Sequence, residues 1–124
     1  MQTAILHLSD LDFNVRTWRR ELKFHYNEME QFEEKLAEIS GRDNSKNDAL
    51  LEQFQNRITI EKEAINKLLD RTKFKLMELE RANNNKEEPF VLRNDATLQE
   101  DMKTYIKIHY DLKEEMMDYL LRLY

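Results

Sequence analysis

From Leu11 to Ile39 the residues Leu11, Val15, Trp18, Leu22, His25, Met29, Phe32, Leu36 and Ile39 follow one another at alternating intervals of four and three. That spacing keeps every one of them on one side of an α-helix, whereas a strand, whose side chains change face at each residue, cannot use it. It predicts a long helix with a heptad seam turned toward partner helices. Two more seams follow. The second runs through Leu51, Phe54, Ile58, Glu61, Ile65, Leu68, Thr72, Leu76 and Leu79, and the third through Leu98, Met102, Tyr105, His109, Leu112, Met116, Tyr119 and Leu123.

The only glycine, Gly41, and the only proline, Pro89, fall between these seams. Sheets and loop-built sites draw on both residues for turns and close backbone approaches, so their scarcity inside the seams leaves an all-α fold. The expectation is a single domain over residues 1–124, an elongated, antiparallel up-down-up three-helix bundle with helices at about 9–40, 46–83 and 95–124. Ser9 with Asp12 and Thr97 with Glu100 read as N-terminal capping pairs. Gly41 is placed to end the first helix in the left-handed conformation, ahead of the polar turn RDNSKND. NNNKEEP closes the second helix, and Phe90, Val91 and Leu92 form a short apolar patch expected to fold over the bundle's end.

Four polar residues interrupt the seams: His25, Glu61, Thr72 and His109. With the first turn centred on residue 43, His25 and Glu61 are equidistant from it, and a direct contact between them is expected. Each would make the other's charged form tolerable in an apolar interior. Counting around the second connection brings His109 near Thr72, whose hydroxyl can satisfy a ring nitrogen. Two buried polar layers result, with the role of fixing register. A weaker alternative is a metal site built from Glu21, His25, Glu28 and Glu61. Carboxylate-bridged di-iron bundles carry Glu-x-x-His on two helices, and here Leu22 and Ile106 occupy the glutamate places.

Other chemistries find no foothold. Absence of cysteine excludes disulfides, thiolate metal sites and a cysteine nucleophile. Ser9, Ser40 and Ser45 sit at expected helix ends with no base beside them. There is no phosphate loop, dinucleotide fingerprint or HExxH helix. Glu28, Glu30, Glu33, Glu34 and Glu38 read as a solvated face. A net charge of −5 disfavours generic nucleic-acid binding. No stretch approaches a membrane span, and MQTAILHLSD lacks the features of a leader, so a cytoplasmic location is expected. The sequence thus predicts no catalytic residues, no cofactor and no small-molecule substrate.

What the seams leave over is apolar surface. Phe13, Phe24, Ile60 and Phe74 lie off them, as do Met117, Leu121 and Tyr124 toward the C-terminus. Exposed apolar stripes mark association. The functional expectation is a non-enzymatic structural or protein-interaction module, self-associating as a homodimer or engaging another protein, with Phe13, Phe24, Ile60 and Phe74 as anchors. Arg16, Arg19, Arg20, Lys23, Lys67, Arg71, Lys73 and Lys75 form a candidate basic belt around it.

Overall fold

The computed structural model describes residues 8–42, 48–84 and 96–123. Within them lie three α-helices: α1 (Leu8–Ser40), α2 (Ala49–Asn84) and α3 (Ala96–Arg122). At 1.5 Å per residue, their 33, 36 and 27 residues make rods of about 50, 54 and 40 Å. Cross-helix contacts fix the directions. Arg19 reaches the Leu69 carbonyl and Lys62 reaches Glu33, so α1 and α2 are antiparallel. Arg57 pairs with Glu115 and Arg71 with Asp101, so α2 and α3 are antiparallel as well. His25 meets Tyr105 and Glu28 meets Lys113, which makes α1 and α3 parallel. The protein is an all-α, up-down-up three-helix bundle.

The core is the set of seams. Val15, Leu22, Met29 and Leu36 of α1, Ile58 and Ile65 of α2, and Met116 of α3 have no measurable exposure. Burying each such side chain contributes on the order of 1.5–3 kcal/mol, so the seams supply most of the driving force for assembly. The backbones of α1 and α2 come close over their length, whereas α3 approaches α2 less closely. Side-chain size accounts for the difference. The inward row of α3 holds Met102, Tyr105, His109, Met116 and Tyr119, and interaxial distance follows the size of the contacting residues.

One seam position departs from expectation. The strict four-three rhythm after Thr72 lands on Lys75, although Leu76 is the apolar neighbour. Lys75 is buried and Leu76 only half-buried. The lysine ammonium lies 3.6 Å from Glu78, which lets a cationic residue take a core position beside a carboxylate. Leu123, given to the third seam, lies beyond the last helical residue and is exposed.

The helix ends also differ. Gly41 does not adopt a left-handed backbone. Its amide is shared between the Ala37 and Glu38 carbonyls, and Arg42 bonds back to Ile39, so α1 stops in a tightened final turn. Ser9 lies inside α1, and Asp12 pairs with Arg16 rather than capping. Thr97 likewise falls within the first turn of α3. Among the described residues the N-terminal cap is Asp48, whose Oδ1 accepts from the amides of Leu50 and Leu51, each at 3.1 Å. The Phe90, Val91 and Leu92 patch and Tyr124 lie outside the described residues, as does Ser45. Among the described residues, no helix is long and apolar enough to cross a membrane.

Candidate functional site

His25 and His109 belong to parallel helices, and their rings stack face to face with centroids 3.6 Å apart and planes 11° from parallel. Both residues are buried, His109 fully. The Tyr105 hydroxyl shares a 2.7 Å hydrogen bond with Nδ1 of His25, and a phenol can both donate and accept, so it serves either imidazole tautomer. Nε2 of His25 lies 3.3 Å from Glu21 Oε2 at the protein's edge. His109 is oriented from the opposite side. Its Nδ1–H donates to Glu61 Oε2 at 2.7 Å, and the Glu61 side chain is itself buried. Tyr110 closes the cluster, edge-on to both imidazoles.

Glu28 completes the group from α1. Its Oε2 accepts from the Lys113 ammonium at 2.6 Å, while Oε1 lies 3.6 Å from Nε2 of His109, too far for a hydrogen bond. Glu28 Oε1 and His109 Nε2 are buried and have no hydrogen-bond partner. Ligand atoms of His25, Glu28 and His109 all lie within 4.8 Å of one another, the one such histidine and acid grouping among the described residues.

The titration behaviour follows from burial and neighbouring charge. Burial holds the His25 imidazole below its ordinary range, and the adjacent His109 lowers it further against the opposing pull of Glu21, Glu28 and Glu61. Burial pushes the Tyr105 phenol well above the usual tyrosine range, with the nearby Glu61 carboxylate adding to the effect. At neutral pH the phenol keeps its proton.

The expected polar residues are all buried, but their partners are not those expected. His25 does not contact Glu61 directly; it stacks on His109, and His109 takes the Glu61 carboxylate. Nor does His109 meet Thr72. The Thr72 hydroxyl donates to the Leu68 carbonyl at 2.8 Å and accepts from Arg19 at 3.1 Å. The reason is register. Arg57 with Glu115, Glu61 with His109 and Arg71 with Asp101 are pairs centred on residues 85–86, earlier than the midpoint near residue 90 that would join His109 to Thr72. Both histidines therefore enter one layer, and Thr72 anchors a separate Arg19 clamp. Tyr105 and Lys113 were not singled out for this chemistry, and Glu28 is not merely a solvated acid. The signal for Glu28 was its place seven residues after Glu21 and three after His25, on their side of the helix.

The surface residues also separate. Phe13, Phe24, Ile60 and Phe74 are exposed. They do not make one stripe. Phe24 lies on α1 edge-on to His25, with Phe13 on the same helix face. Ile60 and Ile108 instead line a groove of about 390 Å³ between α2 and α3, floored by Ala64, Leu68, Tyr105 and Leu112. The basic belt is thinner than expected. Arg16 is paired with Asp12 and Arg71 with Asp101, Arg19 is turned onto α2, and Lys75 is buried.

The chain matches no known family model, curated protein or solved structure.

Proposed function

We propose that this protein is a non-enzymatic interaction module that pairs with a second copy of itself through the α2–α3 groove. The observation that carries the reading is the groove itself. Ile60 and Ile108 flank its apolar floor at 65% and 53% exposure, a large apolar outlay for a surface facing water. Arg57–Glu115 and Arg71–Asp101 bridge the two helices fourteen residues apart, about 21 Å along the axis, and frame the opening between them.

Charge selects the occupant. Among the rim residues, α2 contributes Arg57, Lys67 and Arg71, whereas α3 contributes Asp101 and carries Glu115 at the same edge. A two-fold axis parallel to the helices lays the basic edge of one α2 over the acidic edge of the other α3. A two-fold axis across the helices would set basic on basic. The first arrangement closes on itself and uses one patch twice.

Light scattering on the full chain tests this. At tens of micromolar the wild-type chain should have the mass of a dimer, and Ile108→Glu should give a folded monomer, because a carboxylate there meets water only in the single chain. Phe24→Glu, on α1 and outside the groove, should leave the dimer intact. A monomeric wild type, or a dimer broken by Phe24→Glu but not by Ile108→Glu, overturns the assignment.

A further inference from the structure

The buried layer contains an arrangement that hydrogen bonding alone does not explain. The Glu61 carboxylate accepts from Nδ1–H of His109, which leaves a lone pair on Nε2. Glu28 Oε1, another acceptor, lies 3.6 Å from that nitrogen, and neither atom has a hydrogen-bond partner. Two unsatisfied acceptors facing each other in a protein interior are unfavourable unless a cation lies between them. Their 3.6 Å separation is too long for a shared proton and close to the roughly 3.3 Å between neighbouring ligand atoms on a tetrahedral ion with bonds near 2.0–2.1 Å.

We infer that His25, His109 and Glu28 form a binding site for a divalent transition-metal ion of the zinc class. His109 Nε2 and Glu28 Oε1 are two ligands, and His25 Nε2 is the third, its Nδ1–H then donating to the Tyr105 oxygen. One ligand atom from each residue already lies within 4.8 Å of the others. An imidazole lone pair lies in the plane of its ring, so the His25 ring turns out of its stack on His109 for both nitrogens to reach one ion. Glu21, 3.3 Å from His25 Nε2 and half-exposed, lies outside that set of three and fills a fourth position only by moving inward.

The supporting contacts are those a metal site requires. Ligating histidines donate their second ring nitrogen to a carboxylate or other acceptor, which fixes the tautomer and ring orientation. Glu61 does this for His109 and Tyr105 for His25. Lys113 holds the far oxygen of Glu28, which aims Oε1 at the imidazole. Glu21, Glu28 and Glu61 outweigh Lys113 in charge, so the layer favours a cation. Two imidazoles and a carboxylate, with no thiolate, suit Zn²⁺ or a neighbouring first-row ion rather than a soft metal or Ca²⁺. The set differs from the one expected from sequence, since Glu61 orients a ligand instead of being one and His109 joins from α3.

Titration of the full-length, chelator-treated protein with Co²⁺ and Zn²⁺ tests the site. The wild type should take up about one Co²⁺ per chain with the visible absorption of a four-coordinate ion, Zn²⁺ should displace it, and saturating Zn²⁺ should raise Tm. Glu28→Gln and His109→Gln should lose the spectrum and weaken binding at least tenfold. Glu61→Gln, a change to a positioning residue, should keep the spectrum and weaken binding roughly 10- to 100-fold. Circular dichroism establishes that each variant is folded. Should His109→Gln not fold, the wild-type spectrum and the Glu28→Gln titration decide alone. No stoichiometric Co²⁺ spectrum and no Tm rise in the wild type, or a folded Glu28→Gln that binds as tightly as the wild type, overturns the assignment.

Discussion

The α1–α2 pair and the docking of α3 are two solutions to the same problem. The α1–α2 contact draws on compact aliphatic side chains such as Val15, Leu22, Leu36, Ile58 and Ile65 between closely spaced backbones. Its main polar clamp is the part-buried Arg19 on the Leu69 carbonyl and Thr72. Docking of α3 relies on longer side chains and on a ladder of polar contacts: Arg71–Asp101, Glu61–His109, Arg57–Glu115 and Asp48–Tyr119. Apolar seams with a seven-residue repeat tolerate sliding by one repeat. Polar pins do not, because a slip leaves each group unpaired. The first interface is specified by volume and the second by chemistry.

If that contrast holds, the largest single loss should come from the polar ladder. His109→Leu leaves the Glu61 carboxylate buried without its partner and should cost about 3–5 kcal/mol in urea denaturation with chelator present, while adding Glu61→Leu should recover much of it. Equal losses for the single and double changes would remove the distinction. In the α1–α2 seam, Leu22→Ala should cost about 2–5 kcal/mol, and a second apolar change should restore stability only by refilling volume.

A smaller effect is expected at Asp48, which caps α2 and accepts from the Tyr119 hydroxyl. Asp48→Ala should cost about 0.5–2 kcal/mol near neutral pH. The Tyr119 hydrogen bond, with the two backbone amides, holds the Asp48 carboxyl below the usual carboxylate range. A depressed carboxyl stabilises the fold above its unfolded value and loses that contribution as pH falls through the folded one. The gap between wild type and Asp48→Ala should therefore narrow below about pH 4; a gap unchanged down to pH 2 would show that the charge plays no part. Tyr119 itself is raised to about 12 by burial and by this bond, so it remains a donor across the whole range tested.

Smallest of all should be the exposed Arg57–Glu115 pair. The bond to Arg57 lowers Glu115, yet Glu115 is more than half exposed, and such pairs contribute about 0–1 kcal/mol and fade with salt. A Glu115→Gln variant should differ from wild type in a melt at low ionic strength and converge with it at high.

Helix identity and the inward rows were legible because they depend on spacing within one segment. Lys75 makes the point sharply: the rhythm named it, and only a preference for apolar residues displaced it with Leu76. Partnership was harder to read. Assigning His109 to Thr72 required the geometry of a connection of unknown path, and an error of a few residues in its midpoint moved the histidine more than two turns along α2. The stacking of His25 on His109 arises between α1 and α3, which no single turn joins, so counting around a hairpin could not find it. Glu28 was legible as one of the four residues of the metal alternative, yet nothing local separated it from a solvated acid, since its neighbours Glu30 and Glu34 face solvent.

An odd number of antiparallel rods sends the chain in at one end of the bundle and out at the other. Leu8 and Arg122 are thus separated by nearly the full length of α1, on the order of 45 Å. Tension applied between them runs along the helix axes and loads the lateral contacts in shear, so that Arg71–Asp101, Glu61–His109 and Arg57–Glu115 resist together instead of being peeled apart in turn. Residues of α3 that set its register thereby also bear the load, and a metal ion joining His25 and Glu28 to His109 would tie α1 to α3 at the middle of that span.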